Sequence, residues 1–110
     1  MPDEQKRILP GTIIWAEVTD EFFQNLKSRP LVVLRDGPPG QVECVCITTE
    51  IGMVPQERMV QVPHAIVGLP KICVAHAGWI RFVDIVSIEQ RMPNLLPRAS
   101  FEAIIRKAKR

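Results

Sequence analysis

Long apolar runs, an even set of cysteines and a large net charge are all missing from this sequence. No apolar run approaches the ~18 residues that a membrane-spanning helix needs. Three cysteines are an odd number for a disulfide framework, and Cys44 and Cys46 lie on one face of a predicted strand, where they cannot easily bridge each other. The charged segment Met1–Arg7 is not followed by the apolar region of a signal peptide. These absences predict a protein of the reducing cytoplasm.

The net charge of +2 is too small for general electrostatic capture of nucleic acid, so any RNA binding must come from a localised patch. The basic run Arg106–Arg110 suits the solvated C-terminal end of a helix. With 110 residues, 46% of them hydrophobic, the chain fits one domain over residues 1–110. Folding of a domain of this size buries roughly two-thirds of its surface.

The first half of the chain predicts three strands. The β-branched and aromatic segment Gly11–Val18 predicts the first, and the polar segment Thr19–Ser28 predicts a connection with one helical turn around Phe22–Asn25. The apolar run Pro30–Arg35 predicts a central strand with proline at its first position, where the missing N–H costs least. After a turn rich in glycine and proline, Gln41–Thr49 predicts an antiparallel partner for that strand.

The second half predicts shorter strands and one terminal helix. The helix is indicated by apolar residues at the i, i+3, i+4 and i+7 spacing, namely Phe101, Ile104, Ile105 and Ala108. Pro97 suits its first turn, with Ser100 as an alternative cap. The other predicted elements are a loop over Glu50–Glu57, a strand over Arg58–Val62, a helical turn or irregular link over His64–Leu69, and strands over Lys71–His76, Gly78–Asp84 and Val86–Arg91. Six or so short strands imply a small, strongly curved sheet or barrel.

Groups able to bind a phosphate stand beside two successive predicted strands. Arg29 leads into one strand, and its guanidinium is able to hold two phosphate oxygens at once. Thr48 and Thr49 close the next strand, where they point to opposite faces, so at most one of them faces the same ligand as Arg29. Taken singly, an arginine that opens a strand is more often a surface or ion-pair residue, and threonines in a strand are more often there for their strand preference.

Four strings follow one another along the chain, PGTIIW, SRPLVVL, CVCITTE and GLPKICVAHAGWIRFVD, with the terminal helix after them. From about Pro10 to that helix, their order and spacing resemble the MazF/PemK family of toxin ribonucleases. The arginine–proline pair and the threonine pair are the most specific marks. The resemblance implies a mainly β fold, a small SH3-like barrel of the CcdB/PemK/MazF type with a C-terminal α-helix. It also implies a homodimer, and an antitoxin partner with an acidic, disordered tail.

By this resemblance, Arg29 and Thr48 fall on catalytic positions. The implied activity is that of a sequence-selective, metal-independent endoribonuclease toxin of a type II toxin–antitoxin system, working on single-stranded RNA without a cofactor. The 2′-hydroxyl attacks the adjacent phosphate and leaves a 2′,3′-cyclic phosphate and a 5′-hydroxyl. Donors aimed at the charge that grows on the phosphate oxygens suit this reaction. The candidate RNA-binding residues are Lys27, Thr49, Arg81, Phe22 and Phe23.

The sequence does not identify a general base. Arginine, with a pKa above about 12, is a poor proton acceptor, which leaves Asp20 or Glu21 of the first loop as candidates. One alternative is a pair of catalytic histidines, His64 and His76. Another is a zinc site, although the spacings do not match the usual patterns, and its ligands would be Cys44, Cys46, Cys73 and His76.

The chain departs from the family pattern in three places. Gly11–Thr12 stands where the family usually has Gly-Asp, Gly78 follows Ala77 where an aspartate is frequent, and the first loop lacks the usual glycines and serine–glutamate pair. The adjacent phenylalanines of that loop either stack on unpaired bases or pack on the barrel. Two other functions fit the same fold: a non-nucleolytic toxin that binds a protein target, as gyrase-poison relatives do, and a plain barrel adaptor.

Overall fold

The computed structural model describes residues 8–108. Its strands are β1 (Ile13–Val18), β2 (Lys27–Asp36), β3 (Gln41–Thr48), β4 (Met59–Val62), β5 (Cys73–Asp84) and β6 (Gln90–Arg91), and its helices are α1 (His64–Val67) and α2 (Arg98–Ala108). The charged segment of residues 1–7 and the last two residues of the basic run, Lys109 and Arg110, lie outside this range. None of the helices within it has the length and apolar character needed to cross a membrane.

The strands form one antiparallel sheet in the order β4-β5-β3-β2-β1-β6. The predicted pairing of the second and third strands is confirmed, with Leu31 opposite Cys46 and Val32 opposite Val45. Strands β1 and β5 touch each other although β2 and β3 lie between them in the strand order, so the sheet curls on itself. The mainly β architecture with one C-terminal helix is as the sequence predicted.

Side chains on both faces of the central strands are buried. Along β2, Val32 and Leu34 belong to a cluster that helix α2 covers, whereas Leu31 and Val33 belong to the cluster on the other face. Because both faces are covered, this strand is apolar without interruption instead of alternating. The predicted apolar face of the terminal helix is confirmed, since Ile104 is fully buried in the first of these clusters. Cys44 and Cys46 share the second cluster, as their spacing predicted.

Strand β2 begins earlier than predicted, and Pro30 is its fourth residue instead of its first. The pairing with β1 accounts for this difference, because it extends back to Lys27 opposite Val18. The ladder between β2 and β3 begins only at Leu31. Pro30 therefore lies beside β1 but outside the ladder with β3, and its missing N–H breaks no bond there.

The helical turn predicted around Phe22–Asn25 is wrong. The loop between β1 and β2 is built on Asp20, whose carboxylate Oδ1 accepts hydrogen bonds from the backbone N–H groups of Phe22 and Gln24, each at 2.9 Å. Phe23 and Asn25 adopt left-handed backbone conformations with φ of 62° and 54°. An aspartate that binds nearby backbone N–H groups offers the chain an alternative to a helix, and that alternative prevails here.

The two strands predicted over Lys71–His76 and Gly78–Asp84 are a single strand, β5, so Ala77–Gly78 is not a turn. The register with β3 shifts within it: Val45 lies opposite Ile80, whereas Ile47 lies opposite Ala75. Strand β5 thus carries extra residues over His76–Trp79, a β-bulge of the kind that redirects side chains near functional sites.

The remaining differences concern short elements. The predicted loop over Glu50–Glu57 contains 3₁₀ turns at Ile51–Met53 and Gln56–Arg58. The strand predicted over Val86–Arg91 shrinks to the two residues of β6, preceded by a 3₁₀ turn at Ile85–Ser87.

Candidate functional site

A cleft of about 390 Å³ opens between the β1–β2 loop, the start of β2, the end of β3 and the segment that leads into β5. Arg29 of β2 and Thr48 of β3 both line it, and their strands are neighbours in the sheet. Lys27, Thr49 and Phe22 line the same cleft. Five of the seven predicted site residues are thus brought together.

The guanidinium of Arg29 is held from three sides. Its Nε donates to the backbone carbonyl of Val18 at 3.2 Å, and its Nη2 donates to that of Asn25 at 2.8 Å. Its Cζ lies 5.1 Å from the centre of the Trp79 ring, within the range of a cation–π contact. Within residues 8–108, these contacts leave Nη1 free of hydrogen-bond partners. Arg29 is therefore fixed in direction and still has N–H groups to offer an anion.

The hydroxyl of Thr48 is also oriented. Its Oγ1 accepts a hydrogen bond from the backbone N–H of Glu50 at 3.0 Å. An oxygen that accepts in this way keeps its own hydrogen for donation to another group. Thr48 is half-buried, and Thr49, the next residue, is exposed. The cleft therefore holds a second preorganised donor besides Arg29.

Arg81 and Phe23 are not among the residues that line the cleft. Arg81 donates to the Thr19 hydroxyl at 3.2 Å and to the backbone carbonyls of Asp20 and Ile80. Its guanidinium also lies 4.2 Å from the centre of the Phe23 ring. These contacts fasten the β1–β2 loop to β5. Phe22, which is 73% exposed, is the phenylalanine that faces the cleft.

The charges of the cleft are mixed. Its cationic residues are Lys27, Arg29 and Lys71, and its acidic residues are Asp20, Glu21 and Glu50. Hydrogen bonds from the backbone of Gln24 and the side chain of Asn25 hold the pKa of Asp20 below its ordinary value. The carboxylate of Asp20 is occupied with its own loop. Glu21 instead contacts His76, and the distance between Glu21 Oε2 and His76 Nε2 is 2.8 Å.

Neither the predicted pair of catalytic histidines nor the predicted zinc site is formed by the described residues. His76 is buried against Glu21, whereas His64 opens helix α1 and faces another depression of the surface. No three His, Cys, Asp or Glu side chains within residues 8–108 are grouped closely enough to hold a metal ion. Burial raises the pKa of the Cys44 and Cys46 thiols to about 12, so these cysteines are protonated residues of the core.

Trp79 belongs to the site although no pattern in the sequence pointed to it. Its ring lies beneath Arg29, and its Nε1 donates to the backbone carbonyl of Thr19 at 3.2 Å. It stands in the bulge of β5, and the extra residues there cannot be deduced from alternation along a strand. The sequence offered one chemical indication, which is that a tryptophan in an apolar strand needs an acceptor for its N–H when it is buried.

No family model and no curated protein matches the sequence of this chain. Solved structures do match. The chain is similar to MazF of Deinococcus radiodurans, at 20% identity and a TM-score of 0.68, with 90% of each chain covered. It is also similar to a chain of the MazE–MazF complex from the same organism, at 17% identity and a TM-score of 0.64, covering 90% of this chain and 88% of the other. A third match is the Mycobacterium tuberculosis toxin MazF-mt6, at 17% identity and a TM-score of 0.62, covering 86% of this chain and 91% of the other.

These likenesses establish the fold. The chain is a small curled antiparallel sheet, covered on one face by a C-terminal helix and carrying a cleft at the end of β3. This is the fold of the MazF structures, as the sequence resemblance implied.

Proposed function

We propose that this chain is a toxin of the MazF/PemK family, an endoribonuclease that cuts single-stranded RNA at selected sequences without a metal ion. The observation that carries the proposal is the convergence of two preorganised donors, the Arg29 guanidinium and the Thr48 hydroxyl, on one cleft. The toxin-type fold supports the class of activity. The exposed Phe22 offers a flat face on which an unpaired base can stack.

In the proposed reaction, the 2′-hydroxyl attacks the adjacent phosphorus, and the bond to the 5′-oxygen breaks. The products are a 2′,3′-cyclic phosphate and a 5′-hydroxyl. Charge on the phosphate oxygens increases in the transition state, and donors held in place for that charge are usually the largest catalytic contribution. Arg29 supplies the cation and Thr48 a neutral donor. Lys27 and Thr49 contact the neighbouring backbone, while Arg81 and Phe23 act indirectly by holding the β1–β2 loop.

The proposal includes two partners and a compartment. One structure with this fold is a MazE–MazF complex, which supports a cognate antitoxin for this chain. In the proposal, this antitoxin has an acidic, disordered tail that competes for the cationic side chains of the cleft. A second copy of the chain forms the homodimer. The free, buried cysteines suit the reducing cytoplasm.

Substitution of Arg29 tests the proposal directly. The purified protein is incubated with a long unstructured RNA in the presence of a chelator, and the new ends are mapped. We expect cleavage with 5′-hydroxyl ends, and a loss of about a hundredfold to a thousandfold in rate for Arg29→Ala. The matched control is Arg35→Ala in the same strand, because Arg35 pairs with Glu43 at 3.0 Å and does not line the cleft.

The outcomes separate the candidate functions. Cleavage that yields 5′-phosphate ends would exclude attack by the 2′-hydroxyl. Growth inhibition without RNA cleavage, unchanged by Arg29→Ala, would favour a toxin that binds a protein target. A folded Arg29→Ala protein that cuts RNA at the original rate would overturn the assignment of Arg29.

A further inference from the structure

The carboxylate of Glu21 is held in the cleft by a histidine from another element. Glu21 belongs to the β1–β2 loop and lines the cleft with Arg29 and Thr48, and its side chain is 27% exposed. His76 belongs to the bulge of β5 and is almost completely buried. The 2.8 Å contact between His76 Nε2 and Glu21 Oε2 joins the loop to the sheet.

The hydrogen bonds of His76 fix which of its ring nitrogens carries the proton. The backbone N–H of Gly78 donates to Nδ1 at 3.1 Å, so Nδ1 is an acceptor and holds no hydrogen. A neutral imidazole then carries its proton on Nε2, which faces Glu21. His76 therefore donates to a carboxylate and leaves the second carboxylate oxygen unoccupied by this contact.

The geometry points to Glu21 as the general base of the proposed RNA cleavage, with His76 as its positioning residue. This inference rests on the proposed function. A base must lie within hydrogen-bond reach of the proton that it removes, and Glu21 shares a cleft with the two donors that would hold the phosphate.

The proton balance of the step is simple. Glu21 takes the proton of the 2′-hydroxyl while the 2′-oxygen bonds to phosphorus, and the bond between phosphorus and the 5′-oxygen breaks. The 5′-oxygen takes a proton from water, and Glu21 returns its own to the solvent. The net reaction consumes no proton and no co-reactant.

Asp20, the other acidic residue of the loop, is not equivalent to Glu21. Its Oδ1 accepts two backbone N–H groups, and its Oδ2 accepts the Asn25 side chain at 2.8 Å. A carboxylate stabilised in this way is a weak proton acceptor. His76, whose ring is nearly perpendicular to that of Trp79, holds Glu21 by a single donor instead.

Other charged groups line the cleft or contact the elements that carry Glu21 and His76, and they would contribute to a pH profile. These groups are Asp20 of the same loop, Lys27 and Arg29 of β2, Glu50 after β3, Lys71 before β5, Arg58 beside the bulge, and His76 and Arg81 of β5. The test must therefore compare the pH profiles of single-substitution variants with that of the unsubstituted protein, because the unsubstituted profile alone does not identify the group that titrates.

The experiment measures single-turnover cleavage of a short RNA oligonucleotide against pH for Glu21→Gln, with RNA affinity measured separately. General bases contribute about a hundredfold to ten-thousandfold, so we expect a rate loss in that range. The limb in which the rate falls with acidification should disappear, because glutamine has no proton to gain. RNA affinity should be kept or increased, since a negative charge is removed. Glu50→Gln removes a carboxylate from the same cleft and should keep the acidic limb.

His76 is tested by two substitutions. His76→Gln keeps an acceptor and an N–H donor, whereas His76→Phe removes both. We expect the rate to fall more for phenylalanine than for glutamine, with the acidic limb moved to a different pH in each. Thermal unfolding shows whether each protein is folded, and Glu21→Gln, which leaves the buried ring in place, keeps the inference testable if the His76 variants fail to fold.

Failure of this inference is distinct from failure of the proposed function. If the original protein cuts RNA with 5′-hydroxyl ends and Glu21→Gln keeps both its rate and its acidic limb, only the role of Glu21 is overturned. If the original protein does not cut RNA at all, the proposed function fails first.

Discussion

At the scale of single residues, the cleft combines donors whose directions are fixed before any ligand arrives. Arg29 is held by two backbone carbonyls and the face of Trp79, and Thr48 by one backbone N–H. A fixed donor loses little freedom on binding, so more of its hydrogen-bond energy remains for the transition state. In the sequence alone, Arg29 and Thr48 have ordinary structural explanations. Their contacts in the fold are what mark them as candidate binding groups.

Substitution of Thr48 separates its hydroxyl from its shape. Thr48→Val keeps the volume and branching but removes the hydroxyl, so we expect RNA cleavage to slow by about a hundredfold. Thr48→Ser keeps the hydroxyl and the hydrogen bond with the Glu50 N–H, and should stay within a few fold of the original rate. The measurement is single-turnover cleavage of one oligonucleotide. Equal rates for the valine and serine variants would remove Thr48 from the mechanism.

At the scale of elements, the β1–β2 loop forms one wall of the cleft and is held by its own hydrogen bonds and by side chains of the sheet. Asp20 accepts hydrogen bonds from inside the loop, Arg81 binds its backbone from β5, and His76 binds Glu21. Arg29 adds another contact through the carbonyl of Asn25. Loops often carry function on a rigid scaffold, and here the side chains of β2 and β5 make the loop itself rigid.

The internal hydrogen bonds of the loop should depend on pH in a defined direction. The pKa of Asp20 is lower in the folded protein than its ordinary value of 3.8, so its contribution to loop order is complete above that value. The contribution is lost as the pH falls through the lower, folded pKa. We expect the amide signals of Phe22 and Gln24 to shift in NMR spectra below about pH 4, and the same signals to be perturbed at neutral pH in Asp20→Ala. Amide signals that do not change under either condition would contradict the role of Asp20.

The elements also show what a sequence reveals and what it does not. The central strands and the terminal helix were predictable, because apolar runs and the i, i+3, i+4 spacing reflect burial, as with Ile104. The loop and the bulge were not, because they depend on particular hydrogen bonds. Asp20 replaces a helical turn with left-handed residues, and the Gly78 N–H binds His76 within the bulge. Arg29 and Thr48 could be paired from the sequence because their strands were predicted to be neighbours. The Glu21–His76 contact could not be predicted, because His76 lies in the bulge of β5.

At the scale of the whole molecule, the cleft and the core meet at Cys73. Cys44 and Cys46 are fully buried on β3, in the middle of the strand order. Cys73 is the first residue of β5, where it pairs with Val62 of the edge strand β4, and it also lines the cleft. Ends of edge strands open by local fluctuations, whereas central strands are exposed mainly by global unfolding.

Thiol labelling should therefore report two different openings of the molecule. Burial raises the pKa of all three thiols, to about 12 for Cys44 and Cys46, and only a thiolate reacts with an alkylating reagent. At pH 8 we expect Cys73 to react first, and Cys44 and Cys46 to react together at a rate that rises steeply with denaturant. Mass spectrometry of peptides from timed samples distinguishes the three sites. An RNA bound in the cleft should cover Cys73 directly, and it should slow the labelling of Cys44 and Cys46 only to the extent that binding stabilises the folded state. Labelling of Cys44 or Cys46 as fast as that of Cys73 without denaturant would mean that the central sheet opens as readily as its edge.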